Sequence, residues 1–352
     1  MRVRLFVLLA FLATSLFAQQ QQQTPRNVIL IIGDGMGTAH VTAMRHHRAA
    51  DFQLGRMNVM GLQTTTSADR YVTDSAAAAS SLATGVKVNY EAVSVDPKSG
   101  APLPTVLEAA EKAGKASGIV TTAQFFDATP AAFAAHVPHR RQGTAFVDIV
   151  NQMLGSGADV IIGTGANELA KTGMPSLAEL ATKHGYSFAT TRAQLDAAAG
   201  AKLLAVFPEQ TRDLDVPDAP LPALARTALA RLRGHAKGFF LMIEHEGIDS
   251  SSHQNNVPDL IASLKSFDET VGVALDFAAA NPGTLVLVTG DHETGSLRIS
   301  ETRSGRIRLE WATIEHTATA IPVFAFGPGA NAFGGVYDNT DIGKRLIEIV
   351  GR

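Results

Sequence analysis

From Asn27 onward the chain alternates between two patterns. Short unbroken apolar runs, such as Val28-Ile29-Leu30-Ile31-Ile32, give way to longer stretches in which apolar residues return every three or four positions. A run of the first kind predicts a strand buried on both faces, and the second spacing predicts a helix with one apolar face. Strand runs fall at Asn27–Ile32, Ser117–Val120, Asp159–Ile162, Gly238–Ile243, Thr284–Val288 and Ile321–Phe326. Helical spacing occupies Thr105–Ala113, Pro258–Ala278 and Asp341–Val350. This alternation predicts an α/β fold: a mostly parallel central sheet with helices on both faces, in three layers. Residues 163–235, rich in alanine and charge, read as peripheral helices and loops. Residues 301–312, which include the only tryptophan, Trp311, read as a short hairpin or a cap.

The N-terminus follows neither pattern. Arg2 and Arg4 precede an apolar stretch, Leu5 to Ala13, that is too short to span a membrane but suits a signal peptide over residues 1–18, cleaved after Ala18. An uncleaved anchor is the alternative. Gln19 to Gln23 reads as part of a disordered polar lead-in over 19–25, and residues 26–352 as one domain without internal repeat or linker. The expectation is export to the periplasm or beyond, with no membrane attachment after cleavage.

Composition then narrows the chemistry. The net charge of −3 becomes about −5 once Arg2 and Arg4 are removed, and no basic run or basic-aromatic patch occurs, so a nucleic-acid-binding function is not expected. The chain has no cysteine, which excludes disulfides, thiolate metal sites, cysteine nucleophiles and a lipoprotein anchor.

In parallel sheets, ligands bind beyond the carboxyl ends of the strands, and there the polar residues gather. The first strand run ends in Gly33-Asp34-Gly35-Met36-Gly37, and the fourth in Glu244-His245-Glu246 followed by Asp249, Ser250 and His253. The fifth ends in Asp291-His292, and His316 comes just before the sixth. Taken singly, these are a turn aspartate, a helix-surface pair, a loop pair and a structural histidine. Together they bring carboxylates and imidazoles to one edge, a combination that suits zinc, whereas an all-oxygen set suits magnesium. Between them lies Thr73-Asp74-Ser75-Ala76-Ala77-Ala78-Ala79, which places Ser75 at a predicted helix N-terminus, where free backbone N–H groups favour an anion. No Gly-x-Ser-x-Gly elbow surrounds it, so the activator of the hydroxyl has to come from elsewhere.

With these motifs in order, the chain resembles alkaline phosphatases of the two-zinc, one-magnesium type. The resemblance is carried by Gly33-Asp34-Gly35-Met36-Gly37, Thr73 to Ala77 with Thr84-Gly85, Asp127-Ala128-Thr129-Pro130, Glu244 to His253, Asp291-His292 and His316-Thr317. It implies that residues 26–352 are a catalytic domain that hydrolyses small-molecule phosphate monoesters through a covalent phosphoserine at Ser75. It also implies one zinc ion on Asp249, His253 and His316, and a second on Asp34, Asp291 and His292 that also meets the Ser75 oxygen. A magnesium ion would lie on Thr129 and Glu244, bridged by Asp34, with Asp127 in contact through water; Glu246 competes with Glu244 for that role. Arg140 would grip phosphate, with Arg141 as the alternative, and Asp74 would orient it. A homodimer is common in the family. One departure stands out: Ser250 follows Asp249, where well-studied relatives carry lysine, histidine or tryptophan, and weaker retention of inorganic phosphate is expected. The alternative activity is a phosphodiesterase of the same metal-dependent superfamily. A sulfatase would need a different local motif, and a decayed binding protein would not keep every ligand position filled.

Overall fold

Ten strands form the central sheet of the computed structural model, which describes residues 24–352 except 172, 211 and 212. The expected signal peptide and most of the lead-in therefore lie outside the described residues. In chain order the strands are β1 (Asn27–Gly33), β2 (Val59–Thr64), β3 (Ala116–Gln124), β4 (Val160–Thr164), β5 (Tyr186–Ala189), β6 (Lys202–Phe207), β7 (Phe239–His245) and β8 (Thr284–Gly290). Two small two-stranded sheets follow, from β9 (Glu293–Thr294), β10 (Leu297–Glu301), β11 (Ile307–Trp311) and β12 (His316–Thr317). The main sheet is completed by β13 (Ile321–Phe326) and β14 (Gly335–Asp338).

The spatial order is β14-β2-β13-β8-β1-β7-β3-β4-β6-β5. β1 lies at the centre, parallel to β7 on one side and β8 on the other, and every residue of these three strands is buried. Their unbroken apolar runs follow from this position, since both faces are covered by helices. Val28, Leu30 and Ile32 pack into the layer that holds the Ser75–Thr84 and Val106–Lys112 helices. Ile29 and Ile31 face the opposite layer, dominated by the Leu221–Leu232 and Val257–Ala280 helices. The α/β architecture and its helix-covered parallel sheet are as the alternating pattern predicts.

One sequence expectation needs correction, and two features go beyond what the sequence predicts. The strand at 321–326 exists, but β13 is antiparallel to both β8 and β2, because hydrophobic period carries no information on direction. Residues 163–235 are not merely peripheral: β6, and β5 beyond it, extend the main sheet, and Lys202-Leu203-Leu204-Ala205-Val206-Phe207 is a strand run like the others. β2 and β14 were not anticipated; β2 contains Gly61 and β14 is short and half-exposed, so neither shows an apolar run. The 301–312 region is a hairpin, with β10 and β11 antiparallel.

No helix among the described residues is long and apolar enough to cross a membrane. The 24-residue Val257–Ala280 helix is anchored through fully buried Asp268, whose carboxylate accepts from the backbone N–H of Gln53 and Leu54 and from Arg48. A buried charge is tolerated there because both oxygens accept hydrogen bonds, one of them from an arginine.

Candidate active site

β1, β7 and β8 end side by side, and the polar residues beyond them meet in one cleft of about 500 Å³. The turn after β1 carries Asp34. Gly35 there has φ of 72°, in the left-handed region, and a Cβ on it would come within 2.8 Å of Asp249 Oδ1. Only glycine lets this turn press against the neighbouring ligand group. The Gly35 amide in turn donates to Asp291 Oδ1 at 3.1 Å.

Ser75 is the first residue of its helix. Asp74 is the N-cap, in extended backbone, with its carboxylate accepting from the N–H of Ala77 at 3.2 Å and of Glu91 at 3.1 Å. The Ser75 hydroxyl lies 3.1 Å from His292 Nε2. The same nitrogen stands 3.3 Å from Asp34 Oδ1 and 3.4 Å from Asp291 Oδ2, so four candidate donors converge there. A second group adjoins it. His253 Nε2 is 3.1 Å from Asp249 Oδ2 and 3.0 Å from His316 Nε2, and the His292 and His316 rings stack at 3.7 Å.

The other ring nitrogens fix the tautomers. His316 Nδ1 is 3.0 Å from the Thr73 carbonyl and His253 Nδ1 contacts the Ile314 carbonyl. A carbonyl can only accept, so both Nδ1 atoms donate; in the neutral rings the two Nε2 lone pairs then face each other, an arrangement made for a cation. Asp34 Oδ1 and Asp291 Oδ2 are buried without a hydrogen-bond partner. Asp34, Glu244, Asp249 and Asp291 are all nearly inaccessible to solvent. Four buried carboxylates at one point are costly unless cations compensate them, so the residues present fit divalent metal ions.

The ionisation of these groups reflects the same crowding. Burial pushes Asp291 up to about 7, with the Asp249 charge adding to it, and Asp34 rises well above its ordinary range for the same two kinds of cause. Burial raises Glu244 to about 8, although Thr121 donates to its carboxylate at 2.5 Å. Asp249 moves the other way: burial opposes its charge, but the His253 hydrogen bond and the neighbouring imidazoles outweigh burial. His253 rises to about 9, chiefly through its hydrogen bond to Asp249.

Thr129 sits in the first turn of the Ala128–Ala134 helix, which Asp127 caps. Arg140 lies between two carboxylates, with Nη1 2.8 Å from Asp127 Oδ1 and Nε 4.0 Å from Asp74 Oδ2. Arg141 is mostly exposed and pairs with Glu91, so Arg140 is the arginine held at the floor of the cleft. Glu244 and Glu246 part ways: Glu244 bonds Thr121, while both Glu246 oxygens lie within 2.9 Å of the Ser250 hydroxyl. Asp213 Oδ2 is 3.2 Å from the same hydroxyl.

Sequence reading missed Asp213, Glu91 and Thr294. Glu91 receives His139 and Arg141, and Thr294 bridges Asp249 and His292. The partners of Asp213, Glu91 and Thr294 are mostly distant in sequence, and no local motif marks any of them. Thr294 alone left a trace, three residues after Asp291 in the same loop.

Ser250 therefore lines the cleft as a neutral hydroxyl beside the Glu246 and Asp213 carboxylates, with no cation of its own. Ser250→Lys is expected to lower the inhibition constant for inorganic phosphate by about tenfold, the effect of one added charge-assisted contact. An unchanged constant in steady-state inhibition assays would remove Ser250 from that role.

Carboxylates and imidazoles converging beyond a mostly parallel sheet, next to a serine on a helix N-terminus, define a metal-dependent hydrolase site for an anionic ester. Comparison with known proteins makes this specific. The alkaline phosphatase family profile matches residues 25–307. Streptomycin-6-phosphate phosphatase of Streptomyces griseus is 32% identical over 99% of this chain and 95% of its own length. The alkaline phosphatase of Escherichia coli is 32% identical over 90% and 84%. Among solved structures, the alkaline phosphatase of the Antarctic bacterium TAB5 superposes with a TM-score of 0.84 at 28% identity, covering 94% of this chain and 99% of that one. Variants of the TAB5 enzyme have been solved with magnesium bound in a site designated M3. The chain belongs to the alkaline phosphatase family, and it is a metal-dependent phosphatase.

Proposed function

We propose that the chain hydrolyses small-molecule phosphate monoesters through a covalent phosphoserine at Ser75. The observation that carries this is the Ser75 hydroxyl on a helix N-terminus, 3.1 Å from His292 Nε2 and facing the carboxylate–imidazole groups. Two zinc ions and one magnesium ion are proposed. Asp249, His253 and His316 would hold one zinc, and Asp34, Asp291 and His292 the other. Thr129 and Glu244, with Asp34 shared and Asp127 through water, would hold the magnesium, for which an all-oxygen set is suited. Such ions, when bound, lower the pKa of a coordinated hydroxyl or water and take up charge on the attacking and leaving oxygens.

The chain's own residues do the rest. Asp74 fixes the first turn of the helix, so the Ser75 oxygen and the free N–H groups above it aim at one phosphoryl group. In the first step the Ser75 oxygen bonds phosphorus as the bond to the alcohol oxygen breaks, and the hydroxyl proton ends on the departing alcohol. In the second, a water oxygen bonds phosphorus as the bond to the serine oxygen breaks, one proton of that water restores the Ser75 hydroxyl, and inorganic phosphate departs. Arg140, held from behind by Asp127 and Asp74, presents its remaining N–H groups to the non-bridging oxygens.

A diester offers one fewer charged oxygen to this arrangement and adds a second alcohol group beside Arg140. Losing one such contact is worth about 10²–10³ in rate, so kcat/KM on p-nitrophenyl phosphate should exceed that on its bis ester by about that factor. The reverse order would make the chain a phosphodiesterase. We also propose export under the leader of residues 1–18, a single catalytic domain over 26–352, and a soluble product of cleavage; a homodimer is the family's usual state.

A further inference from the structure

Two groups of candidate metal ligands belong to different pieces of chain that must hold a fixed distance. One is the turn after β1, with Asp34; the other is the Gly247–His253 helix, with Asp249 and His253. That helix has only seven residues, so its own backbone bonds do little to fix its position. The turn presses against it closely enough that Gly35 has no room for a Cβ beside Asp249.

A single side chain bridges them. His40, in the first turn of the Thr38–Arg48 helix, is wholly inaccessible to solvent. Its Nδ1 lies 3.2 Å from the Gly37 backbone nitrogen at the end of the Asp34 turn, and its Nε2 3.0 Å from the Ser252 hydroxyl. Ser252, also fully buried, sits immediately before His253, and its hydroxyl donates to the Ile248 carbonyl at 2.7 Å. The directions are forced. The Gly37 amide can only donate, so Nδ1 accepts; the ring proton is on Nε2 and is donated to Ser252; the Ser252 proton is donated to Ile248. A continuous chain of three hydrogen bonds therefore runs from the Asp34 turn to the helix that bears Asp249 and His253, with no polar atom left over. Nothing in these three bonds touches the cleft, and His40 is not among the cleft-lining residues.

We infer that His40 is a positioning residue: through Gly37 and Ser252 it holds the Asp34 turn and the Asp249–His253 helix in the mutual register that metal binding needs. The inference rests on the proposed zinc assignment of those residues. Remote tuning of this kind is worth about 10–100-fold in metal affinity when it supports ligands directly, and the lower figure applies to a tie made through the backbone.

Amide side chains separate the two ends of the bridge, since Asn places a polar atom near the Nδ1 position and Gln near the Nε2 position. Zinc release from the loaded protein into excess chromogenic chelator is the readout, with the melting temperature of the metal-free protein alongside. His40→Asn, which cannot reach Ser252, and Ser252→Ala are each expected to release zinc about tenfold faster than wild type. His40→Gln, which keeps the Ser252 contact and loses the one to Gly37, should release zinc at a similarly raised rate, and the His40→Asn/Ser252→Ala double variant should be no faster than either single one, as two members of one chain require. Wild-type release rates in His40→Asn and Ser252→Ala, whatever happens to the metal-free melting temperature, would reduce His40 to a packing residue. A wild-type rate in His40→Gln would show that the Gly37 end sets no register and would overturn the bridge as well. A wild-type protein that takes up no zinc would instead overturn the metal assignment.

Discussion

Ser75→Ala should lower kcat on p-nitrophenyl phosphate by at least about 10³-fold while leaving the fold intact. The size follows from what is removed. Serine and alanine differ by one oxygen, and that oxygen is the only hydroxyl on the helix N-terminus facing the clustered ligands. Losing a covalent nucleophile leaves the electrostatic machinery in place, so some direct attack by water persists, as it does when other nucleophiles are deleted. Alanine is a good helix residue and Asp74 still caps the helix, so no loss of stability is expected. Acid quench with labelled phosphate should trap a phosphoprotein in wild type and none in Ser75→Ala. Wild-type turnover in the variant would eliminate the phosphoserine route.

Chelation should have an effect of similar size and one more consequence. Treatment with EDTA is expected to abolish turnover, and zinc with magnesium to restore it; activity that survives complete metal removal would refute the metal-dependent reading. The additional consequence concerns pH. In the absence of ions, burial and mutual repulsion raise Asp291 to about 7 and Glu244 to about 8. Raised carboxyl groups hold protons below those values, and metal must displace them, so binding weakens as pH falls through 8 and then 7. Reloading should therefore be tight at pH 9 and poor at pH 6, with protons released on binding. Isothermal titration in buffers of different ionisation enthalpy measures that release directly. Equal affinity at the two pH values would mean that the ions displace no protons from these carboxyl groups.

The central strands were legible because they are buried on both faces: β1, β7 and β8 are unbroken apolar runs, each too short for a buried helix and without a polar face to show to water. The edges were less legible. β2 and β14 half face solvent, and β13 announces itself as a strand without announcing its direction. At the candidate site, the residues found from sequence are those that stand immediately beyond strand ends or helix starts, where position alone suggests a role. Asp34, Asp291 and His292 are of this kind. Asp213, Glu91 and His40 are not. Asp213 and Glu91 work through partners more than 35 residues away, and His40 ties nearby Gly37 to Ser252, 212 residues along the chain, and no pattern within a short window records such a pairing.

The helix that begins at Ser75 has one further property. Every residue from Ala76 to Thr84 is buried, an arrangement open to a helix of alanine and serine because small side chains let neighbouring helices come close on all sides. At its far end Gly85 turns left-handed, and Gly343 of the last helix lies so near that even a methyl group there would collide with the Gly85 backbone. The body of such a segment is held against fraying, and its amides beyond the first turn meet water only when the surrounding layers separate. The proposed nucleophile is thus mounted on one of the last parts of the molecule to loosen. Heating would not yield a folded population that has lost its serine geometry; activity and native structure should disappear together.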